Sequence, residues 1–150
     1  MSDTQAGIDS LILLQRQLLE HEGFRSAAYQ DSLGYWSIGI GRMIDSRRGG
    51  GITSDEAIYL LNNDIRKVKQ QLDTAMSWWR GLDPVRQRVL MDMCFNLGLD
   101  GLLDFKNTLR AVSKQDWVDA ADGMLASLWA QQTGRRAHRL AQMMRTGVQI

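Results

Sequence analysis

Cysteine is almost absent from this sequence: among 150 residues there is one, Cys94. No internal disulfide can form and no multi-cysteine zinc site is available. Proline is as scarce, with Pro84 alone, and no Pro/Ser-rich linker, internal repeat or low-complexity tract divides the chain. Neither sign of charge dominates. Eighteen basic and seventeen acidic residues leave a formal charge of +1, which argues against nucleic acid as a partner of the whole protein. Long apolar runs are missing as well. Leu11 to Leu14 is broken at once by Gln15, Arg16 and Gln17, far short of the roughly 18–20 residues a bilayer span needs, so stable membrane insertion is not expected. Met1 to Ser10 carries two aspartates and no basic residue, so it lacks a secretory n-region and synthesis in the cytoplasm is expected. Two histidines without a carboxylate cluster make no metal site, and no metal or cofactor is expected.

What is present is ordinary globular composition, 44% apolar and 23% charged. A chain of this length buries about 70% of the surface its unfolded form exposes, enough for one domain without staples. Ile8, Leu11, Ile12, Gln15, Leu18, Leu19 and Glu22 keep helical spacing and predict a helix over 8–22 that Gly23 ends. From Phe24 to Arg42 the pattern changes to aromatic, β-branched and glycine residues. Asp31-Ser32-Leu33-Gly34 is a turn signal, which predicts a small antiparallel hairpin or meander. Met43 to Gly51, with Arg47, Arg48 and three glycines, reads as a loop. Thr53 and Glu56 form a capping box that opens a long helix to about Trp79. Asp83-Pro84 opens another, ending at Gly98. Shorter helices are expected at about 106–112, 114–128 with Ser113 as N-cap, and 134–146 with Thr133 as N-cap and Gly147 beyond the end. The fold class is α+β. A β lobe over about 24–52 would be joined by a connecting helix, about 54–79, to a larger all-α lobe. That lobe takes in about 80–150 and the N-terminal helix, with a cleft between lobes.

Two carboxylic acids stand out by position. Glu22 ends a helix, where a negative charge faces the negative end of the helix dipole. Asp31 comes nine residues later, in the hairpin turn. Hydrolysis of a glycosidic bond needs one carboxyl group to donate a proton and a second, ionised, to handle a water or a cation. Taken alone, the pair is a weak signal: among seventeen acids such separations are common, and the first reading is a solvated acid at a helix end and an Asp that starts a turn. The residues after Asp31 add weight. Ser37, Gly39 and Gly41 share one face of a strand, a hydroxyl and then two bare positions. Several other residues have plain structural readings. Cys94 lies on an apolar stripe, His21 points about 100° away from Glu22, and Trp78, Trp79, Trp117 and Trp129 suit core or interface positions.

Glu22-Gly23, Tyr29, Asp31, Gly34-Tyr35 and Ser37 to Gly41 together resemble the active-site signature of the phage-type lysozymes, the T-even phage lysozyme family of glycoside hydrolase family 24. The resemblance runs from about residue 8 to Gly147. It includes Ile52-Thr53, Asp55 to Ala57 and Asn62 to Asp64 at the long helix, then Phe95, Gly98, Phe105, Asn107 and Leu109. It closes on Ser127, Trp129, Gln132, Thr133, Arg136 and Ala137. The departures are Ser37 for the family's Thr, Arg42 for a His found in the best-known relatives, a shorter loop between Arg42 and Ile52, and Gly134-Arg135 for a Pro-Asn pair. In those relatives the His pairs with an Asp on the long helix, so the resemblance implies an Arg42–Asp64 pair.

The resemblance implies a muramidase that hydrolyses bacterial peptidoglycan between N-acetylmuramic acid and N-acetylglucosamine. Glu22 would be the general acid, and Asp31 with Ser37 would hold the attacking water, giving inversion. Substrate contacts would come from Met43, Phe95, Asn96, Thr108, Gln132, Thr133 and Arg136. Met43 and Phe95 are as readily core residues. Arg136 corresponds to a family arginine that approaches the catalytic Glu. The arginines at 135, 136, 139 and 145 read either as a surface that attracts stem-peptide carboxylates or as a solvated helix face. The family's habit implies a monomeric endolysin made in the host cytoplasm and released to the wall by a holin. The rival readings are a catalytically impaired wall-binding module, which the Ser37 and Arg42 departures permit, and a helical DNA-binding protein. A lytic transglycosylase would need Glu22 but no water held by Asp31.

Overall fold

The structure is a computed structural model describing residues 5–44 and 51–150. The chain forms two compact units, Met1–Ile58 and Tyr59–Ile150. The fold is mostly helical with one small antiparallel sheet, the expected α+β class. Among the described residues no helix is long and apolar enough to cross a membrane.

The first unit opens with α1, Gln5–Glu22, three residues earlier than its apolar spacing indicates. The helix ends as expected, with the Gly23 amide donating to the Leu19 carbonyl at 2.9 Å. Three strands come next, β1 (Arg25–Gln30), β2 (Trp36–Gly39) and β3 (Arg42–Met43), in the order β1-β2-β3. This is the meander that the glycine- and aromatic-rich stretch predicts. Tyr29 faces Ser37 across β1–β2, and Ser37 faces Met43 across β2–β3. Most of the expected 43–51 loop, including Arg47 and Arg48, lies outside the described residues.

Helix α2 spans Ser54–Ala75. The capping box forms as read: the Glu56 amide donates to Thr53 Oγ1 at 3.2 Å, and the Thr53 hydroxyl donates to Glu56 Oε1 at 3.1 Å. The expected continuation to Trp79 is interrupted at Met76, after which Ser77–Gly81 is a 3-10 helix. Asp73 explains the tighter winding. Its Oδ1 accepts from Trp79 Nε1 at 2.7 Å and from Arg80 Nε at 2.8 Å, which draws the next turn back onto α2 while Trp79 is fully buried.

Helix α3, Pro84–Leu103, starts where Asp83-Pro84 places it, with Asp83 accepting from the Arg86 amide at 3.0 Å. Gly98, read as its end, is instead a kink with φ +75, and the chain resumes helical winding to Leu103. The helices α4 (Lys106–Ser113), α5 (Trp117–Leu125), α6 (Leu128–Thr133) and α7 (Arg135–Thr146) complete the second unit.

Two expected N-caps are corrected for one reason. What makes a serine or threonine an N-cap is a hydroxyl that accepts an amide two or three residues ahead, and one that only donates to a carbonyl behind it does not cap. Ser113 donates back to the Arg110 carbonyl at 2.7 Å, and Thr133 to the Trp129 carbonyl at 2.9 Å. The expected 114–128 helix is shorter, Trp117–Leu125. The sequence pattern does not separate α6 from it; Ser127 opens α6 by accepting from the Ala130 amide at 3.1 Å.

The buried core lies in the second unit, with Leu72, Trp79, Leu90, Met93, Leu102 and Met144 its largest enclosed side chains. Cys94 belongs to it. Arg86 joins three of its helices. Nε donates to the Met144 carbonyl at 2.7 Å and Nη2 to the Arg145 carbonyl at 3.1 Å, both in the last turn of α7. Nη1 reaches Asp83 Oδ1 at 3.1 Å, and the guanidinium lies 3.8 Å from the centre of the Trp117 ring on α5. Burial pushes the Asp83 carboxyl up. The amide and guanidinium of Arg86 outweigh it and hold that carboxyl below its ordinary value.

Arg86→Met keeps the apolar stem and removes every one of these polar contacts. Hydrogen bonds to a charged donor contribute about 1.5–3 kcal/mol each, not additively. Urea denaturation should show a loss of about 2–4 kcal/mol, against a much smaller loss for an exposed arginine such as Arg66.

Candidate active site

The three residues assigned to chemistry all lie in the first unit. Glu22 is the last residue of α1. Its carboxyl group lies directly over Gly41, close enough that a side chain there would collide with it. Asp31 sits one residue beyond β1, and its own backbone shapes its setting. Oδ1 accepts from the amides of Leu33 and Tyr35, each at 2.9 Å. The Asp31 carbonyl accepts from the Gly34 amide at 3.1 Å. This Asx turn fixes the carboxylate against its loop. Oδ2 has no hydrogen bond among the described residues, so one oxygen anchors and the other remains free to hold a ligand.

Ser37 occupies the middle strand and is paired on both sides, which is why it is only 5% exposed. Its hydroxyl makes no hydrogen bond among the described residues. It is also not a buried atom deprived of a partner, so it still reaches solvent. Directly opposite residues in a sheet share a face, and this brings Met43, half exposed on β3, alongside Ser37. The expectation that Ser37, Gly39 and Gly41 continue along one strand face is corrected. Gly39 and Gly41 both have positive φ, so the chain turns there and the alternation of a strand is lost.

Arg42 also departs from expectation. Its Nη2 meets Glu56 Oε2 at 2.8 Å, so the capping-box glutamate takes the place foreseen for Asp64. Eight residues of helix separate the two acids, a rise of about 12 Å. The Arg42 guanidinium, helped by Thr53 and opposed by burial, holds the Glu56 carboxyl below its ordinary value.

The other candidates belong to the second unit. Phe95, half exposed on α3, and Arg136 share a groove of about 420 Å³ with Leu61, Ile65, Met91 and Asp92. Asn96 Oδ1 accepts from Trp129 Nε1 at 2.8 Å, tying α3 to α6. Gln132 is exposed on α6 and Thr133 is half-buried beside it. Thr108 is corrected. It is buried between α4 and α5, its hydroxyl filling the space above Gly123, so it packs helices and presents no open face to a ligand. Arg136 is gripped by Asp92, Nε at 2.8 Å and Nη2 at 2.6 Å from Oδ1. The basic C-terminal stretch is largely engaged. Arg145 pairs with Asp122 at 2.7 Å, and Arg139 donates to the Ile150 carbonyl. Sequence reasoning missed Asp92, Glu56 as a partner, and the seat at Gly41. Asp92 lies three residues before Phe95, on the same face of α3, which is the one signal that could have found it.

The family model described as "Phage lysozyme" matches residues 19–145. The chain is similar to "Probable T4-type lysozyme 1" of Dictyostelium discoideum, 28% identical across 84% of this chain and 89% of that protein. It is similar to the "Endolysin" of Acyrthosiphon pisum secondary endosymbiont phage 1, 27% identical across 84% of this chain and 82% of the relative. It also resembles a segment of the "Pre-baseplate central spike protein Gp5" of Enterobacteria phage T4, at 28% identity across 89% of this chain and 28% of the longer protein.

A carboxyl held below its ordinary value in the folded state contributes stability above the unfolded value, and that stability fades as pH falls through the folded one. The Arg42–Glu56 pair should therefore be fully formed at neutral pH and fade below pH 4.5, the ordinary value. Wild type and Glu56→Gln should differ in thermal stability at neutral pH and converge in acid. Salt should shrink the difference, because both partners are open to solvent.

Proposed function

The chain belongs to the phage lysozyme family and is a glycoside hydrolase that acts on peptidoglycan, and from that premise we propose the bond it cuts and how it cuts it. The reading is a muramidase that hydrolyses the β-1,4 bond between N-acetylmuramic acid and N-acetylglucosamine. The observation that carries it is the division of Asp31. Oδ1 is fixed by two amides and Oδ2 is left open, an acceptor in a set orientation. Such an acceptor can order a water and draw its proton as the water attacks.

In this mechanism Glu22 donates a proton to the departing glycosidic oxygen. Asp31, with Ser37, orients the water for attack on the opposite face of the sugar, and the anomeric configuration inverts. Met43 beside Ser37, and Phe95, Asn96, Gln132, Thr133 and Arg136 on the second unit, contact the glycan or its peptide. The protein acts as a monomer, made in the host cytoplasm and admitted to the wall by a holin during phage lysis. The similarity to an endolysin supports that setting.

General acid–base catalysis contributes about 10²–10⁴-fold. Digestion of purified peptidoglycan by wild type should release hydrated reducing ends, identified by mass, and Glu22→Gln should lose at least about 10²-fold of that rate. Anhydro products would replace hydrolysis by a transglycosylase reaction. Binding to sacculi without cleavage by wild type would leave a wall-binding module.

A further inference from the structure

Two glycines close the turn from β2 to β3, and they differ in what lies beside them. Both hold φ in the left-handed region, +70 at Gly39 and +65 at Gly41. A Cβ on Gly39 would meet nothing within 4 Å. A Cβ on Gly41 would stand 2.6 Å from Glu22 Oε2, 2.7 Å from Cδ and 2.9 Å from Cγ. The carboxyl group and the methylene that carries it both rest on the bare face of this one residue.

We propose that Gly41 is a positioning residue for the general acid, its missing side chain forming the seat that fixes where the Glu22 carboxyl delivers its proton. This rests on the assignment of Glu22 as the acid. Glu22 has three rotatable side-chain bonds and stands at the end of a helix, so the helix alone leaves its carboxyl several staggered positions. Contact with the Gly41 backbone selects among them. Non-bonded heavy atoms settle at about 3.5–4.0 Å. A methyl on Gly41 would therefore drive the carboxyl off by about 1 Å. A misplacement of that size costs about 10²-fold in rate.

The pair of glycines supplies its own control. Alanine at either position adds the same backbone strain, because both have positive φ, and alanine at Gly41 alone displaces the carboxyl. The experiment compares wild type, Gly39→Ala, Gly41→Ala and Glu22→Gln on soluble peptidoglycan fragments, with kcat, KM, the pH profile of kcat and thermal denaturation for each. Gly41→Ala should lose about 10²-fold in kcat with KM little changed. The alkaline limb of its profile, which reports the acid, should move. Gly39→Ala should keep kcat and profile near wild type while losing melting temperature. Equal kcat losses in the two alanine variants, or a wild-type kcat and profile in Gly41→Ala, would overturn the proposal. Activity retained by Glu22→Gln would overturn the assignment of the acid itself, a separate result. Should Gly41→Ala fail to fold, the same change in a Glu22→Ala background decides. Recovery of folding there supports the contact, and continued failure removes it.

Discussion

Much of the second unit depends on one part-buried guanidinium. The last carbonyls of α7 have no partner within their own helix, and a helix end enclosed without partners is costly. Arg86 supplies those partners for Met144 and Arg145 from the first turn of α3. It can do so because Asp83 neutralises it and the Trp117 ring covers its face. Two charges and an aromatic ring thereby define where α3, α5 and α7 meet. The apolar side chains around Leu90, Met93 and Met144 fill the space that arrangement leaves. The core provides most of the driving force, while Arg86 selects the arrangement in which it packs.

The first unit is organised on different physics. Among the described residues, none of the fully buried apolar side chains comes from it. Its sheet has one strand of only two residues. Hydrogen bonds and local turn chemistry do the holding: the Asx turn at Asp31, the pairing of Ser37 on both sides, and the Arg42–Glu56 contact beside the cap of α2. Directional contacts of this kind fix atoms to a few tenths of an ångström and contribute little net stability. That suits a place where carboxyl geometry matters more than bulk cohesion.

The same contrast explains what can be read in the sequence. Elements written in local chemistry are legible. Asp83-Pro84, Thr53 with Glu56, and Asp31 through Gly34 each name their structure within four residues, and the structure agrees. Sequence misleads where one residue type serves two opposite purposes. Ser113 and Thr133 carry the same hydroxyl as true N-caps, and only three-dimensional context shows them bonding backwards without accepting an amide ahead. Gly98 is visible as a break, but not as a kink inside a continuing helix. Nothing local separates Glu56 from Asp64 as a partner for Arg42, since both are acids on one helix. Thr108 matches a family pattern, yet its burial depends on Gly123, fifteen residues away. The likeness at Glu22, Asp31 and Ser37 identifies the candidate chemistry, while the approach of Glu22 to Gly41 arises only in the folded chain.

Asp31 carries two duties on two atoms of one side chain. Oδ1 belongs to the turn, and Oδ2 to whatever the hairpin holds. An alanine or a longer acid at this position would disturb both at once, so damage to the chemistry would usually arrive together with damage to the loop. Asparagine is the exception, since its carbonyl oxygen can accept the same two amides. Under the proposed mechanism, the hairpin therefore stands one replacement away from an inert twin of nearly identical shape, able to grip a glycan strand and unable to cut it. A lineage that needed an anchor to the wall instead of a blade would have a short path to one.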